Sequence, residues 1–422
     1  MTKPFIFIAA NDNSYFKKKV VNQIFNHLNS NSLINLEYNL NALIYRSFED
    51  IIKELNKKNC VRNKNFNILI FLDLPNISLK ELSLIKSKVY LFQVFGDIPE
   101  HFHSFQKYAQ FLYDGIAIEE PEYTNHFSNF GLPAFDASIF NHETATILGD
   151  IPPYTSLIPL HNRLYEFSFI GRLDKPGRVK MIKELKKEFK NIFIHDSSLG
   201  LLSKEELNNI IKNTKYLFNS TSITPFNTYG FKVFPEYMQL QRKSRILDYA
   251  KNGCIIFSEI LPERTFTTFS NENIPVVEVP RGDNQAKFIL DYLNTNYTNL
   301  NKISKKTYDS IYQTYSIKNI DRFFVEILNE LRLSSKYSQF NLSQKEEYIV
   351  NFKYCKYLYF RELKEILKSN SNILNKLKRI IKSTKKHSEN KKIFFIKVSF
   401  SILYTLVLKL FLNCLNEIKF SF

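Results

Sequence analysis

Two side chains near the middle of the chain have the types and spacing for chemistry. Arg245 and Asp248 lie three apart, so on a helix they share one face. A guanidinium can hold a phosphate through a forked pair of charge-assisted hydrogen bonds. A carboxylate one turn later can accept ribose hydroxyls. The plainer alternative is a solvated helix with one i,i+3 ion pair, worth only about a few tenths of a kcal/mol. A second group lies upstream. Gly171 allows a close backbone approach, and Arg172, Lys175 and Arg178 put positive charge beside a helix start, where free N–H groups already favour an anion. An ordinary βα turn with solvated basic residues would look the same. A third group could accept a proton from a hydroxyl: Asp12, within 11–14, and Asp97 and His101, within 96–103. Each Asp suits a helix N-cap equally well. His101 and His103 are two apart and do not share a helix face, so no metal site is expected.

The elements that would position these groups alternate along the chain. Residues 216–259 read as strand (216–218), irregular loop, helix (236–251, stopping at Asn252-Gly253) and a buried apolar strand (254–257). Upstream, a strand ends at Gly171 and a helix covers 178–189. A strand at 192–195 and a helix from Ser203, with Glu206 at the capping-box position, follow. Asn219 and Ser220 then close the 216–218 strand. The first half repeats the pattern, with apolar runs at 5–10, 66–72, 89–95 and 115–118 and helical stretches between them. After the segment 123–136, residues 137–165, with Pro152, Pro153 and Pro159, read as a linker. After residue 259 come a strand at 275–279 and helices from Gln285 and Ile303 and over 321–333. Strands alternating with helices predict parallel sheets covered on both faces, with ligands beyond the carboxyl ends of the strands.

The run Ser244-Arg245-Ile246-Leu247-Asp248, continuing to Gly253-Cys254-Ile255-Ile256, resembles the small-Arg-x-x-Glu-x-x-x-x-Gly-apolar signature of GT-B glycosyltransferases with a spore-maturation-like (CgeB-like) C-terminal domain. Asp248 is one methylene shorter than the usual Glu. Residues 169–178 resemble the Phe-x-Gly-x-x-x-x-x-x-Arg entry to the same donor domain. The resemblance spans about residues 85–330 and is strongest over 166–260. It implies an α/β fold of two Rossmann-like domains facing a cleft. Residues 1–150 would be the acceptor domain, 151–335 the nucleotide-sugar domain and 336–422 a basic helical extension. It implies sugar transfer from a nucleotide-sugar to a hydroxyl of a cell-surface glycan or lipid-linked acceptor, of lipopolysaccharide or capsule type. Donor-binding residues would be Gly171, Arg172, Lys175, Arg178, Asn219, Ser220, Arg245, Asp248 and Gly253. Asp97, Asp12 and His101 are the candidate bases. The chain has no Asp-x-Asp, so metal-independent transfer with no cofactor beyond the donor is expected.

At 422 residues the chain is too long for one core. Cys60, Cys254, Cys355 and Cys414 show no C-x-x-C spacing, so neither a disulfide framework nor a zinc site is implied and a reducing, cytoplasmic setting is expected. The first apolar run is too short for a signal peptide. From Leu331 onward there are 19 Lys and Arg against 6 Asp and Glu, so +13 of the net +17 lies in this tail. Residues 393–415 are mostly apolar but carry Lys397 and Lys409, a poor spanning helix. An amphipathic helix on the anionic inner face of the plasma membrane is one reading, and a helical hairpin with solvated lysines is the other. Nucleic acid is not expected, since charge alone points to it. A non-catalytic or differently catalytic GT-B-like protein, binding a membrane surface or nucleic acid through this tail, is the alternative function.

Overall fold

The computed structural model describes residues 3–31, 37–62, 64, 66–96, 105–119, 127, 134–136, 151–171, 173, 178–220, 245–259, 275–280, 282, 284–314, 325, 328–329, 343–369 and 373–388. The chain divides into two compact units. One comprises Met1–Pro75 with Ile85–Gln339; the other comprises Asn76–Leu84 with Phe340–Phe422.

The larger unit holds two parallel sheets, so the expected α/β class holds. The first has six strands: β1 (Phe5–Asn11), β2 (Asn39–Tyr45), β3 (Ile68–Phe71), β4 (Tyr90–Phe95), β5 (Gly115–Ile118) and β6 (Ala134–Asp136), in the order β2-β1-β3-β4-β5-β6. Helices α1 (Tyr15–Asn31) and α2 (Phe48–Lys57) lie between them in the chain, as does α3 (Leu79–Lys86), most of which belongs to the smaller unit. Strand β2 was not anticipated; its half-buried pattern is weaker than the continuous apolar runs of its neighbours. Its place is set by pairing, from Phe5 with Asn39 to Asn11 with Tyr45. Leu328, and Val325 beside it, pack into this sheet's core although they follow the second sheet in the chain.

The second sheet has five strands: β7 (Tyr165–Gly171), β8 (Ile192–Asp196), β9 (Thr214–Asn219), β10 (Ile255–Glu259) and β11 (Val277–Val279), in the order β11-β10-β9-β7-β8. Its helices are α4 (Arg178–Glu188), α5 (Lys204–Lys212), α6 (Arg245–Ala250), α7 (Gln285–Thr295) and α8 (Leu300–Thr314). Alternation along β10 divides the packing. Ile255 and Phe257 join Phe169 and Phe218 under α4 and α7, whereas Ile256 joins Leu217, Ile246 and Leu247 beside Ile311 of α8. Ser203 caps α5 in a reciprocal box with Glu206, as the sequence predicts.

Much of the expected linker is welded to this lobe. Ile151 packs in its core, Tyr308 donates to the Pro152 carbonyl at 2.6 Å, and Leu160 is buried. Arg163 is buried and donates to the carbonyls of Ile158, Thr214 and Asn252 at 2.7–2.9 Å. A positive charge so far from water is tolerated because several oriented dipoles replace its hydration.

The smaller unit is helical. α9 (Gln344–Lys368), with a Ser343–Glu346 capping box, packs on α10 (Ile373–Ser388). Tyr354 of α9 donates to the Ile77 carbonyl at 3.3 Å, Lys386 of α10 donates to the Asn76 carbonyl at 2.7 Å, and Ser383 donates to Glu362 at 2.6 Å.

Candidate functional site

Strand β7 is a buried aromatic strand that ends in Gly171. The absence of a side chain there is put to use. A Cβ at Gly171 would lie 3.2 Å from Nη2 and 3.6 Å from Nη1 of Arg245. The Arg245 guanidinium therefore lies against the carboxyl end of β7 and comes within 5.6 Å of the Phe169 ring centroid. Arg178, the first residue of α4, brings its guanidinium to the same ring, also at 5.6 Å. Each contact is worth about 0.5–2 kcal/mol, more when the cation is desolvated, and Arg178 is buried. Two guanidiniums near one ring make this a site of concentrated positive charge, which favours an anionic ligand. These groups gather at the end of a parallel sheet where such folds take ligands.

Beside β7 the polar residues continue onto the neighbouring strands. Asn219, 1% exposed at the end of β9, donates through Nδ2 to the Ser258 hydroxyl at 2.9 Å. Its Oδ1 is buried and has no hydrogen-bond partner among the described residues. Ser220 donates to Oε2 of Glu259, the last residue of β10, at 3.1 Å. Gln285, at the start of α7, donates to Oε1 of the same carboxylate at 3.3 Å. On the other side of β7, Asp196 ends β8, paired with Gly171. Its Oδ1 accepts from the backbone N–H groups of Ser198 and Leu173. Those bonds, the Ser198 one foremost, hold its carboxyl below the usual range.

Asp248 and Gly253 stand differently. The Asp248 carboxylate accepts from Lys251 Nζ at 2.8 Å. Gly253 ends α6 with φ of 65°, and a Cβ there would meet Ser304 Oγ at 3.0 Å. Its backbone role at the helix stop accounts for the glycine. Below it, the Tyr249 hydroxyl contacts Ser168 Oγ at 2.5 Å and Thr214 donates to the same oxygen at 2.9 Å, a buried chain that ties α6 to β7 and β9. Burial pushes the Tyr249 hydroxyl up. His195 contacts the Gly200 carbonyl at 2.9 Å through Nε2, a strand-end position.

Of the candidate bases, Asp12 is described. It accepts from Lys18 Nζ at 2.6 Å and Arg46 Nε at 2.7 Å. These bonds, Lys18 first, hold its carboxyl below the usual range, the opposite of what a proton acceptor needs. It does not cap α1 with its side chain; Asn11 Oδ1 takes the Asn13 N–H instead. Asp12 and Arg46 line a groove of about 560 Å³ along β2 and α2 with Asp50, Lys53, Glu54 and Lys57. Asp97, His101, Arg172 and Lys175 lie outside the described residues, as do the 221–244 loop, most of the predicted 236–251 helix and the 393–415 segment.

Four side chains at or near strand ends carry roles that the sequence reading missed. Phe169 opens the Phe-x-Gly pattern there, with no hint of its ring meeting two arginines. Asp73 accepts from Asn11 N–H and from the Tyr45 hydroxyl, both at 2.9 Å. Glu119, just after β5, is buried and ion-paired with Lys17. A Cβ at Gly96 would sit 2.6 Å from Glu119 Oε2. Glu259 is the fourth. For the three acids a signal existed, an acid at the end of a buried apolar run or one residue past it: Phe-Leu-Asp, Gly-Ile-Ala-Ile-Glu and Cys-Ile-Ile-Phe-Ser-Glu.

No family model matches the sequence, and no curated protein matches it. Among solved structures the chain is similar to a glycosyltransferase from Rickettsia africae, with a TM-score of 0.44 and 13% identity, over 78% of this chain and 99% of that one. It is similar to HepE of Anabaena in complex with UDP and glucose, with a TM-score of 0.43 and 9% identity, over 78% of this chain and 100% of that one. It is also similar to a variant of S. aureus TarM whose complex includes UDP, with a TM-score of 0.41 and 11% identity, over 67% and 59% of the two chains. With TM-scores below 0.5, these likenesses assign neither a reaction nor a substrate to this chain.

Proposed function

We propose that this protein is a glycosyltransferase that moves a sugar from a nucleotide-sugar to a hydroxyl acceptor. The observation that carries the reading is the meeting of Arg178 and Arg245 on one aromatic ring beside Gly171, at the carboxyl end of a parallel sheet. In such a transfer the acceptor oxygen attacks the anomeric carbon as the bond from that carbon to the diphosphate oxygen breaks. The diphosphate leaves with the electron pair, and the acceptor proton passes to a base. Negative charge builds on the departing group through an oxocarbenium-like transition state. Fixed cations aimed at that charge are the largest catalytic contribution to expect. In this reading Arg178 and Arg245 fill this role, Arg172 and Lys175 remain candidates from the sequence, and no metal ion is required. For the base, Asp97 and His101 stand ahead of Asp12, whose carboxylate is engaged by two cations.

The acceptor is a cell-surface glycan or lipid-linked sugar, and the basic helical unit holds the enzyme at the inner face of an anionic membrane. The support is charge: α10 carries five lysines and one arginine with no acid, and the exposed Ile381 sits among the exposed Lys378, Arg379 and Lys382. Among the described residues no helix is long and apolar enough to cross a membrane.

The test is calorimetric binding of UDP-, GDP-, ADP- and CMP-sugars to the full chain and to Arg245→Ala. One donor should bind the wild type, and losing a charge-assisted pair of hydrogen bonds should weaken it by about 10- to 100-fold, with circular dichroism unchanged. Equal affinity in the variant removes the arginine pair from the reading.

A further inference from the structure

The first sheet has an unguarded edge. Among the described residues β2 pairs with β1 alone and stands at the end of the strand order. Alternation divides its backbone groups. The Asn39 N–H donates to the Pro4 carbonyl, and the Tyr45 carbonyl accepts from the Asp12 N–H, both at 2.8 Å. Asn39, Asn41, Leu43 and Tyr45 therefore turn their N–H and C=O groups towards β1, and Leu40, Ala42 and Ile44 turn theirs outward. Proteins ordinarily blunt such an edge with lysine, proline, a bulge or a covering element. β2 reads Asn-Leu-Asn-Ala-Leu-Ile-Tyr, with no proline and no charge. It pairs with β1 without a bulge, from Phe5 with Asn39 to Asn11 with Tyr45. The groove of about 560 Å³ opens along this strand and α2.

We infer that this edge is an interface with a second copy of the chain, β2 pairing antiparallel with its counterpart about a two-fold axis at Ala42. That register sets Ala42 opposite Ala42 and Leu40 opposite Ile44. Every opposed residue is then an outward-facing one, and each pair exchanges two backbone hydrogen bonds. A two-fold interface must complement itself, because one patch meets its own copy. The charges meet that condition. The groove carries Asp12, Asp50 and Glu54 against Arg46, Lys53 and Lys57, a balance of zero on a chain of net +17. A net charge of that size keeps copies of a chain apart, and a locally neutral patch is where they can meet. The same balance disfavours a strongly acidic or strongly basic peptide as the added strand. The arginine pair proposed for the donor belongs to the second sheet, so this inference stands independently of the proposed reaction.

The experiment is sedimentation velocity of the full chain over a concentration series, with hydrogen–deuterium exchange at both ends of the series. The wild type should form a dimer. The amides of Leu40, Ala42 and Ile44 should be protected where the dimer is populated and exchange freely where the monomer is. Ala42→Pro removes an outward N–H and no bond to β1, a change that edge strands accept. It should weaken the dimer by about 10-fold or more. Lys53→Glu combined with Lys57→Glu turns the neutral patch acidic, so that like charges meet across the axis. That variant should also weaken the dimer by about 10-fold or more, and added salt should restore part of the loss. Circular dichroism checks both folds, and the helix-surface pair decides the matter if the proline variant does not fold. A monomer at every concentration overturns the inference. A dimer that neither change weakens also overturns it, since the contact then lies elsewhere. So does a monomer whose edge amides are protected, which puts another segment of the same chain on β2.

Discussion

Gly171 carries more consequence than its size suggests. The guanidinium of Arg245 occupies the space where a side chain would begin, with Nη2 3.2 Å from an added Cβ. Because the obstructing atoms are the far end of a flexible side chain, a substitution displaces the arginine. Gly171→Val should therefore lower affinity for the proposed nucleotide-sugar by about 10-fold, the low end of a lost charge-assisted contact. With φ at 158° the added side chain also strains the backbone, so thermal stability should fall as well. Titration calorimetry beside a melting curve checks both halves, and a drop in melting temperature with normal affinity would contradict the geometry. Phe169 shows the limit of reading residue types. A buried phenylalanine on a strand looks like packing, and it is packing, but two guanidiniums also come within 5.6 Å of its ring centroid.

Elements hold these residues at their angles. α6 is short among the described residues and relies on its surroundings: Ile246, Leu247 and Ala250 in the core, Tyr249 on Ser168, and a stop at Gly253. With φ at 65°, Gly253→Ala should destabilise the second lobe by about 1–2 kcal/mol, the cost of a left-handed conformation for a side-chain-bearing residue. The added Cβ must also displace Ser304 Oγ, which donates to the Gly253 carbonyl. Denaturant unfolding of the full chain measures this. The ends of helices and strands set the acid response as well. Hydrogen bonds hold the carboxyls of Glu206, Glu346, Asp196 and Asp12 below their usual ranges in the folded protein. A depressed folded value means a stabilising contribution present above the unfolded pKa and lost as pH falls through the folded one. Melting temperature should thus hold from neutrality to about pH 5 and fall below about pH 4. A rise in stability on acidification below about pH 4 would contradict these assignments.

Across the whole molecule, charge is segregated: the tail from Leu331 holds +13 of the net +17. Sedimentation with vesicles of phosphatidylserine and phosphatidylcholine tests the membrane proposal. Binding should be strong at low salt, weaken steeply with added salt, and fall by about 10-fold or more when Lys378, Arg379 and Lys382 become glutamine, at about 1 kcal/mol per basic residue. Salt-insensitive binding, or none, would leave the lysines as solvent-facing residues of the α9–α10 pair. The sequence by itself determined the alternation of strand and helix, because apolar runs and caps are local signals: the runs at 5–10, 89–95 and 254–257 became β1, β4 and β10 within a residue or two. It also marked Gly171, Arg178, Asn219, Ser220 and Arg245, whose types were distinctive. Only the tertiary structure decided which of them share a neighbourhood. Strand order puts β7 between β8 and β9, and so brings Asp196, Gly171 and Asn219 to one edge. Phe169 gained its place beside two arginines from partners distant in sequence, which no local pattern encodes.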